Sequence, residues 1–415
     1  MNLKPYNCFS LLSCATALVG GLNFAVAQGD GNLIDRASEA ITRVSSPVKQ
    51  CRSGPWGELE YFYFNLEAPD EFVRNSVIPS ETTVWRFPGM SPGMVEEILK
   101  QMDLPDPILE AILDPSQWYV SDTETRILPN PGVIVNLTPT ARARIYSYAR
   151  PWKENGIFFK PIAVEFDSVE QWFEGLDLPP RIPPLVQRLV YPQGGGLVFS
   201  DIPFILNQLE SESQCRAFLK ALTRTRSISL HLRISDSTDL RSLAEYWSSK
   251  PRFKQALPLL ESVARVTGVD TIDVTHFLPP LPRKYLYTFP SLNDGYSGHY
   301  PGGFWAAFNF FRFSAIEDLP DEPAAIESYL KAHYVTALGD QRFGDMVVLR
   351  DPEAETVMHA AICIADDIVY TKNGDGIFRP WTLMTMDSML LRWSHHGKPG
   401  VEYWRLKDES ATSAP

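Results

Sequence analysis

The chain has 415 residues, of which 44% are hydrophobic and 12% aromatic, and its formal net charge is -12. This length and composition exclude global disorder and leave room for two domains. The acidic balance argues against a nucleic-acid partner, which would call for a basic face.

The N-terminus reads as an export signal. Lys4 supplies a positive start, Cys8 to Ala27 carry no charge, and Ala25-Val26-Ala27 is a small-x-small cleavage site. Residues 1–27 are expected to be removed. If retained, the same stretch is long enough to anchor the chain in a membrane. Cys51, Cys215 and Cys363 remain, so at most one disulfide can form, and cysteines this scattered make no zinc site. No metal or cofactor is expected.

Residues 28–50 are polar and read as a linker. An α+β region of many short elements is expected over 51–290. Glu58 to Leu66 alternates and is aromatic, which predicts a strand. Ser91-Pro92 and Thr138-Pro139 announce helices over 93–102 and 140–149, because proline in the first turn sacrifices no helical hydrogen bond. Asp167 to Glu170 and Ser211 to Gln214 have capping-box spacing, and the second leads into an amphipathic helix from Cys215. Ile228 to Ile234 alternates as a strand. Gly194-Gly195-Gly196 lacks the ending of a phosphate loop and reads as a tight turn.

A boundary is expected near Thr288 to Ser291. Beyond it come a helix over about 304–313, a second over about 322–336, and mostly strands to Leu406. The tail 407–415 reads as frayed. His395-His396 tempts as a metal pair, but neighbours on a strand face opposite ways.

The most informative stretch lies here. Arg342-Phe343-Gly344-Asp345 opens an apolar strand, and His359-Ala360-Ala361-Ile362-Cys363-Ile364-Ala365 follows with one histidine at its head. Asp366-Asp367 then turns the chain into Ile368-Val369-Tyr370. Upstream, the helix after a glycine-rich turn reads Pro301-Gly302-Gly303-Phe304-Trp305-Ala306 and contains no cysteine.

On these motifs, residues 291–406 resemble the NlpC family of papain-like cell-wall cysteine endopeptidases. The resemblance implies a helix packed on an antiparallel sheet. It makes His359 the general base, Gly303 the vacant nucleophile position at the helix start, and Tyr370 the third residue that orients the imidazole. Trp305, Tyr300 and His299 would line a binding groove. A cysteine at a helix start would have its thiolate stabilised by the helix dipole, and glycine offers no such group. The expected protein is therefore exported to the periplasm or cell envelope and catalytically degenerate. Its partner would be cell-wall peptide or glycan, or an envelope protein.

Two alternatives stand beside this. One is an active hydrolase or acyltransferase whose nucleophile is Cys363, Ser297 or Cys215. The other is a structural envelope protein acting through residues 51–290.

Overall fold

A computed structural model describes residues 41–42, 47–74, 83–159, 161–248, 256–293, 300–394 and 397–407. The expected signal segment, Ser297, His299, the His395-His396 pair and the tail after Lys407 lie outside the described residues. The fold is α+β, built from antiparallel sheets and many short helices. Among the described residues no helix is long and apolar enough to cross a membrane.

The expected linker contributes to a sheet instead. Strands β1 (Ile41–Thr42) and β2 (Lys49–Gln50) pair antiparallel with β3 (Glu58–Leu66), Ile41 opposite Leu66 and Lys49 opposite Tyr61. Polar composition hides this, because short edge strands are held by backbone pairing rather than by apolar side chains.

After β3 the chain departs through residues 67–224, which hold β4 (Trp85–Pro88), β5 (Trp118–Val120) and β6 (Glu124–Ile127) as one small sheet. A second small sheet holds β7 (Ile162–Ala163), β8 (Tyr191–Gln193) and β9 (Gly196–Phe199). Three of the predicted caps are present, whereas at the expected Asp167 to Glu170 box the capping side chain is Ser168, which accepts from Gln171 N–H. Ser91, Thr138 and Ser211 side chains accept from backbone N–H groups at the starts of α1 (Pro92–Gln101), α2 (Pro139–Ala149) and α3 (Glu212–Leu222).

The chain then returns in β10 (Thr225–Arg233), which pairs with β3 along its whole length, from Leu66 opposite Thr225 to Glu58 opposite Arg233. Residues 67–224 thus leave and re-enter the sheet at one point. They form an inserted lobe with two cores of their own, one around Trp85, Phe87 and Tyr146, the other around Trp172, Phe199 and Phe218. At its neck the Arg224 Nε donates to Glu67 at 2.7 Å, both side chains largely buried.

The remainder is one body. After β11 (Thr271–Asp273) comes a six-stranded sheet of β12 (Tyr334–Thr336), β13 (Met346–Arg350), β14 (Val357–Ala365), β15 (Ile368–Lys372), β16 (Trp381–Thr385) and β17 (Gly400–Leu406). Its order is β12-β17-β13-β14-β15-β16. One apolar core runs from Leu59 and Leu230 through Trp247 to Phe308, Ala360 and Tyr370. It therefore crosses the expected boundary near 288–291. There the Tyr287 N–H donates to Trp381 O at 2.7 Å and the Trp381 N–H to Thr288 O at 3.0 Å, so the segment runs along β16.

Three helices position the site. Helix α4 (Gly303–Phe308) is shorter than expected, because the Asn309 side chain bonds Trp305 O and both backbone groups of Ile316, turning the chain away. Helix α5 (Pro323–His333) ends where Tyr334 enters β12. Helix α6 (Met386–Trp393) interrupts the stretch expected to be mostly strands; the Thr385 side chain caps it by accepting from Ser388 N–H.

Candidate functional site

His359 sits near the start of β14, as expected, and is almost fully buried. Helix α4 meets this strand at Gly303. A Cβ placed on Gly303 would lie 2.3 Å from His359 Cε1, 2.5 Å from Nδ1 and 2.6 Å from Ala360 O. The start of α4 thus faces the imidazole. The resemblance did not anticipate the closeness. The position expected to be vacant is filled by the histidine ring and a strand carbonyl, and glycine is what permits that approach.

The orienting residue is Thr371, not Tyr370. Its Oγ1 lies 2.9 Å from His359 Nε2 and donates its own proton to Ala360 O at 3.0 Å. With that proton committed, the hydroxyl oxygen can only accept from the ring. His359 is assigned as the Nε2–H tautomer, which leaves the Nδ1 lone pair toward Gly303. The physical reason for the one-residue correction is the register shift between Cys363 and Ala365, which exchanges the faces of the β15 residues relative to β14. Tyr370 is opposite Ile362 and faces the core under α4, with its ring 5.6 Å from Phe310, so its neighbour takes the other face.

The imidazole is also covered. Trp393, the last residue of α6, stacks on it with ring centroids 4.8 Å apart, and its Nε1 donates to Asn373 Oδ1 at 2.9 Å. Burial, then the charges of Arg392 and Lys372, push the His359 pKa down to about 3. The ring is neutral at physiological pH. Lys372 is itself buried and donates to the carbonyls of Gly374 and Gly376 at 3.0 and 2.9 Å.

The groove residues fare differently. Trp305 is half-buried against Tyr285 and Trp381, its ring centroid 5.6 and 5.9 Å from theirs, and so serves packing rather than a groove. Tyr300 is half-buried just before α4. The two alternative nucleophiles among the described residues, Cys363 and Cys215, lie in cores away from His359. Cys363 is buried among Val347, Val369 and Met384, and burial with Asp345 nearby pushes its thiol up to about 12. Cys215 lies in the core of the inserted lobe, and all three described cysteines are free. Among the described residues no group of three metal-ligating side chains converges.

The Gly-Asp motif has a structural account. Gly344 has φ +90°, and a Cβ there would lie 2.2 Å from the Phe311 ring. Asp345 is buried and accepts from Arg405 Nε at 2.8 Å and Nη2 at 2.6 Å, tying β13 to β17. What sequence reasoning missed is the pair Thr371 and Trp393. Plain alternation across the Asp366-Asp367 turn would point to Tyr370, and the register shift between Cys363 and Ala365 that brings Thr371 onto the face of His359 has no mark in the sequence; the second depends on a helix in a stretch expected to be mostly strands.

Comparison with family models, with curated proteins and with solved structures finds no match for this chain.

Proposed function

We propose that the chain is an exported, catalytically silent protein on an NlpC-like, papain-like frame, and that it binds cell-wall peptide or glycan without cleaving it. The observation that carries this reading is the contact between Gly303 and His359. A neutral imidazole presents its lone-pair nitrogen to a helix start, the arrangement a general base needs toward a nucleophile, and the residue there has no side chain. The six-stranded antiparallel sheet with α4 packed on β14 fits the same frame.

The active-hydrolase reading is disfavoured by the burial of Cys363 and Cys215 away from His359. The test uses the chain without residues 1–27. It should sediment with purified cell wall and release no peptide. Peptide release that His359→Ala abolishes would overturn the silent reading. Failure to sediment, with capture of an envelope protein instead, would replace the ligand by a protein partner.

A further inference from the structure

We propose that the inserted lobe 67–224 is a cap that closes the His359 site by gripping the residues on either side of Trp393. The inference rests on reading His359 and Gly303 as a cleft position, and adds how that cleft is kept shut.

Three contacts carry it. Glu165, at the end of the segment following β7, is almost fully buried and accepts from Arg392 Nη1 at 3.1 Å. Gly195, in the tight turn between β8 and β9, donates its N–H to Ser394 O at 2.8 Å. Trp393, the side chain that stacks on His359, lies between these two anchored positions. Glu165 also accepts from Arg379 Nη1, at 2.9 Å to Oε1 and 3.1 Å to Oε2. Arg379 belongs to the loop between β15 and β16, where Asp375 approaches Gly302 to 3.7 Å of its would-be Cβ.

The lobe thus holds two walls of the site at once, the end of α6 and the β15–β16 loop. A carboxylate shared by two guanidinium groups in a partly dry setting is a strong, directional tie. The lobe has its own cores, so it can shift as a unit while its neck at Glu67 and Arg224 stays closed. Movement there would release Arg392 and Ser394 together and lift Trp393 off the imidazole.

The experiment measures how fast diethyl pyrocarbonate modifies His359 in the mature full chain, read by mass spectrometry. In the unaltered protein His359 should resist. In Glu165→Gln the rate should rise on the order of tenfold, because losing the carboxylate charge weakens two charge-assisted hydrogen bonds. Trp393→Ala should expose the ring whatever the lobe does. Should Glu165→Gln fail to fold, Arg392→Gln serves, since it leaves Glu165 paired with Arg379. A folded variant at residue 165 or 392 in which His359 stays protected overturns the cap, as does protection that survives Trp393→Ala. The cell-wall binding assay is separate. If Glu165→Gln exposes His359 and neither form binds cell wall, the cap stands and the ligand reading falls. If cell wall binds while His359 protection is indifferent to Glu165, the reverse holds.

Discussion

Thr371 selects the tautomer assigned to His359: its hydroxyl, committed to Ala360 O, accepts from Nε2 and leaves the lone pair of Nδ1 toward Gly303. The relation has two sides. The ring is oriented as a base would be, and the backbone it faces has closed against it.

Placing a thiol at position 303 should therefore not produce a working cysteine–histidine pair. In Gly303→Cys the new Cβ meets both the imidazole and Ala360 O, and the second cannot rotate away. Overpacking of this kind should cost about 3 kcal/mol. Urea unfolding should show the lower midpoint, and Gly303→Ala should show nearly the same loss. A Gly303→Cys variant as stable as the parent would mean that the helix and strand separate easily.

Stability should fall with acid through His359. The unfolded imidazole takes a proton below about 6.5, whereas the buried one resists until about 3. Between those values the unfolded state binds more protons, so stability is fully present above 6.5 and declines as pH drops toward 3. The full shift corresponds to roughly 5 kcal/mol. Urea midpoints of the parent and of His359→Gln, compared from pH 7.5 to pH 4, should converge as pH falls. Parallel pH profiles would refute the assignment.

The buried Arg142–Asp201 pair should matter to the native-state stability of the lobe and not to that of the body. Arg142 Nη1 reaches Asp201 Oδ2 at 2.5 Å, Tyr146 Oη donates to Oδ1 at 2.7 Å, and both charged side chains are wholly buried. Asp201→Ala leaves an uncompensated guanidinium, at a cost of about 3–5 kcal/mol. Hydrogen exchange should speed up across 83–222 and remain slow in β14 and β15. Equal loss of protection in both would show that lobe and body unfold as one.

The lobe should also be removable. Leu66 and Thr225 are cross-strand partners, so a two-residue Asn-Gly turn can join them as a hairpin. A chain in which Asn-Gly replaces 67–224 should show a folded near-ultraviolet signal from the aromatics of the body, such as Trp247 and Trp381. Collapse to an unfolded spectrum would show that the body needs the lobe for stability.

Much of the chain was legible in the sequence because its signals are local. The alternation of Glu58 to Leu66, the caps at Ser91, Thr138 and Ser211, and the position of His359 follow from residues near in the chain. Thr371 stands one residue from the expected position because the register shift between Cys363 and Ala365 exchanges the faces of β15, and nothing in the local sequence marks that shift. The insertion was invisible because nothing in the composition changes at Leu66 or Thr225; only their pairing marks the seam. Helix α6 falls in a stretch expected to be mostly strands, and the cover over the site depends on it.

The seam has a consequence for how the chain assembles. Pairing β3 with β10 from an extended chain means closing a very long loop, and the entropy of that closure is lost before any strand contact is gained. A lobe that condenses first brings Glu67 and Arg224 together and turns the long loop into something equivalent to a tight turn. The order of events is then fixed by topology: the guest folds, and its folding delivers the two central strands of the host. Pulse-labelled hydrogen exchange during refolding should find lobe amides protected before those of β3 and β10, and Asp201→Ala should delay the host although it lies outside it.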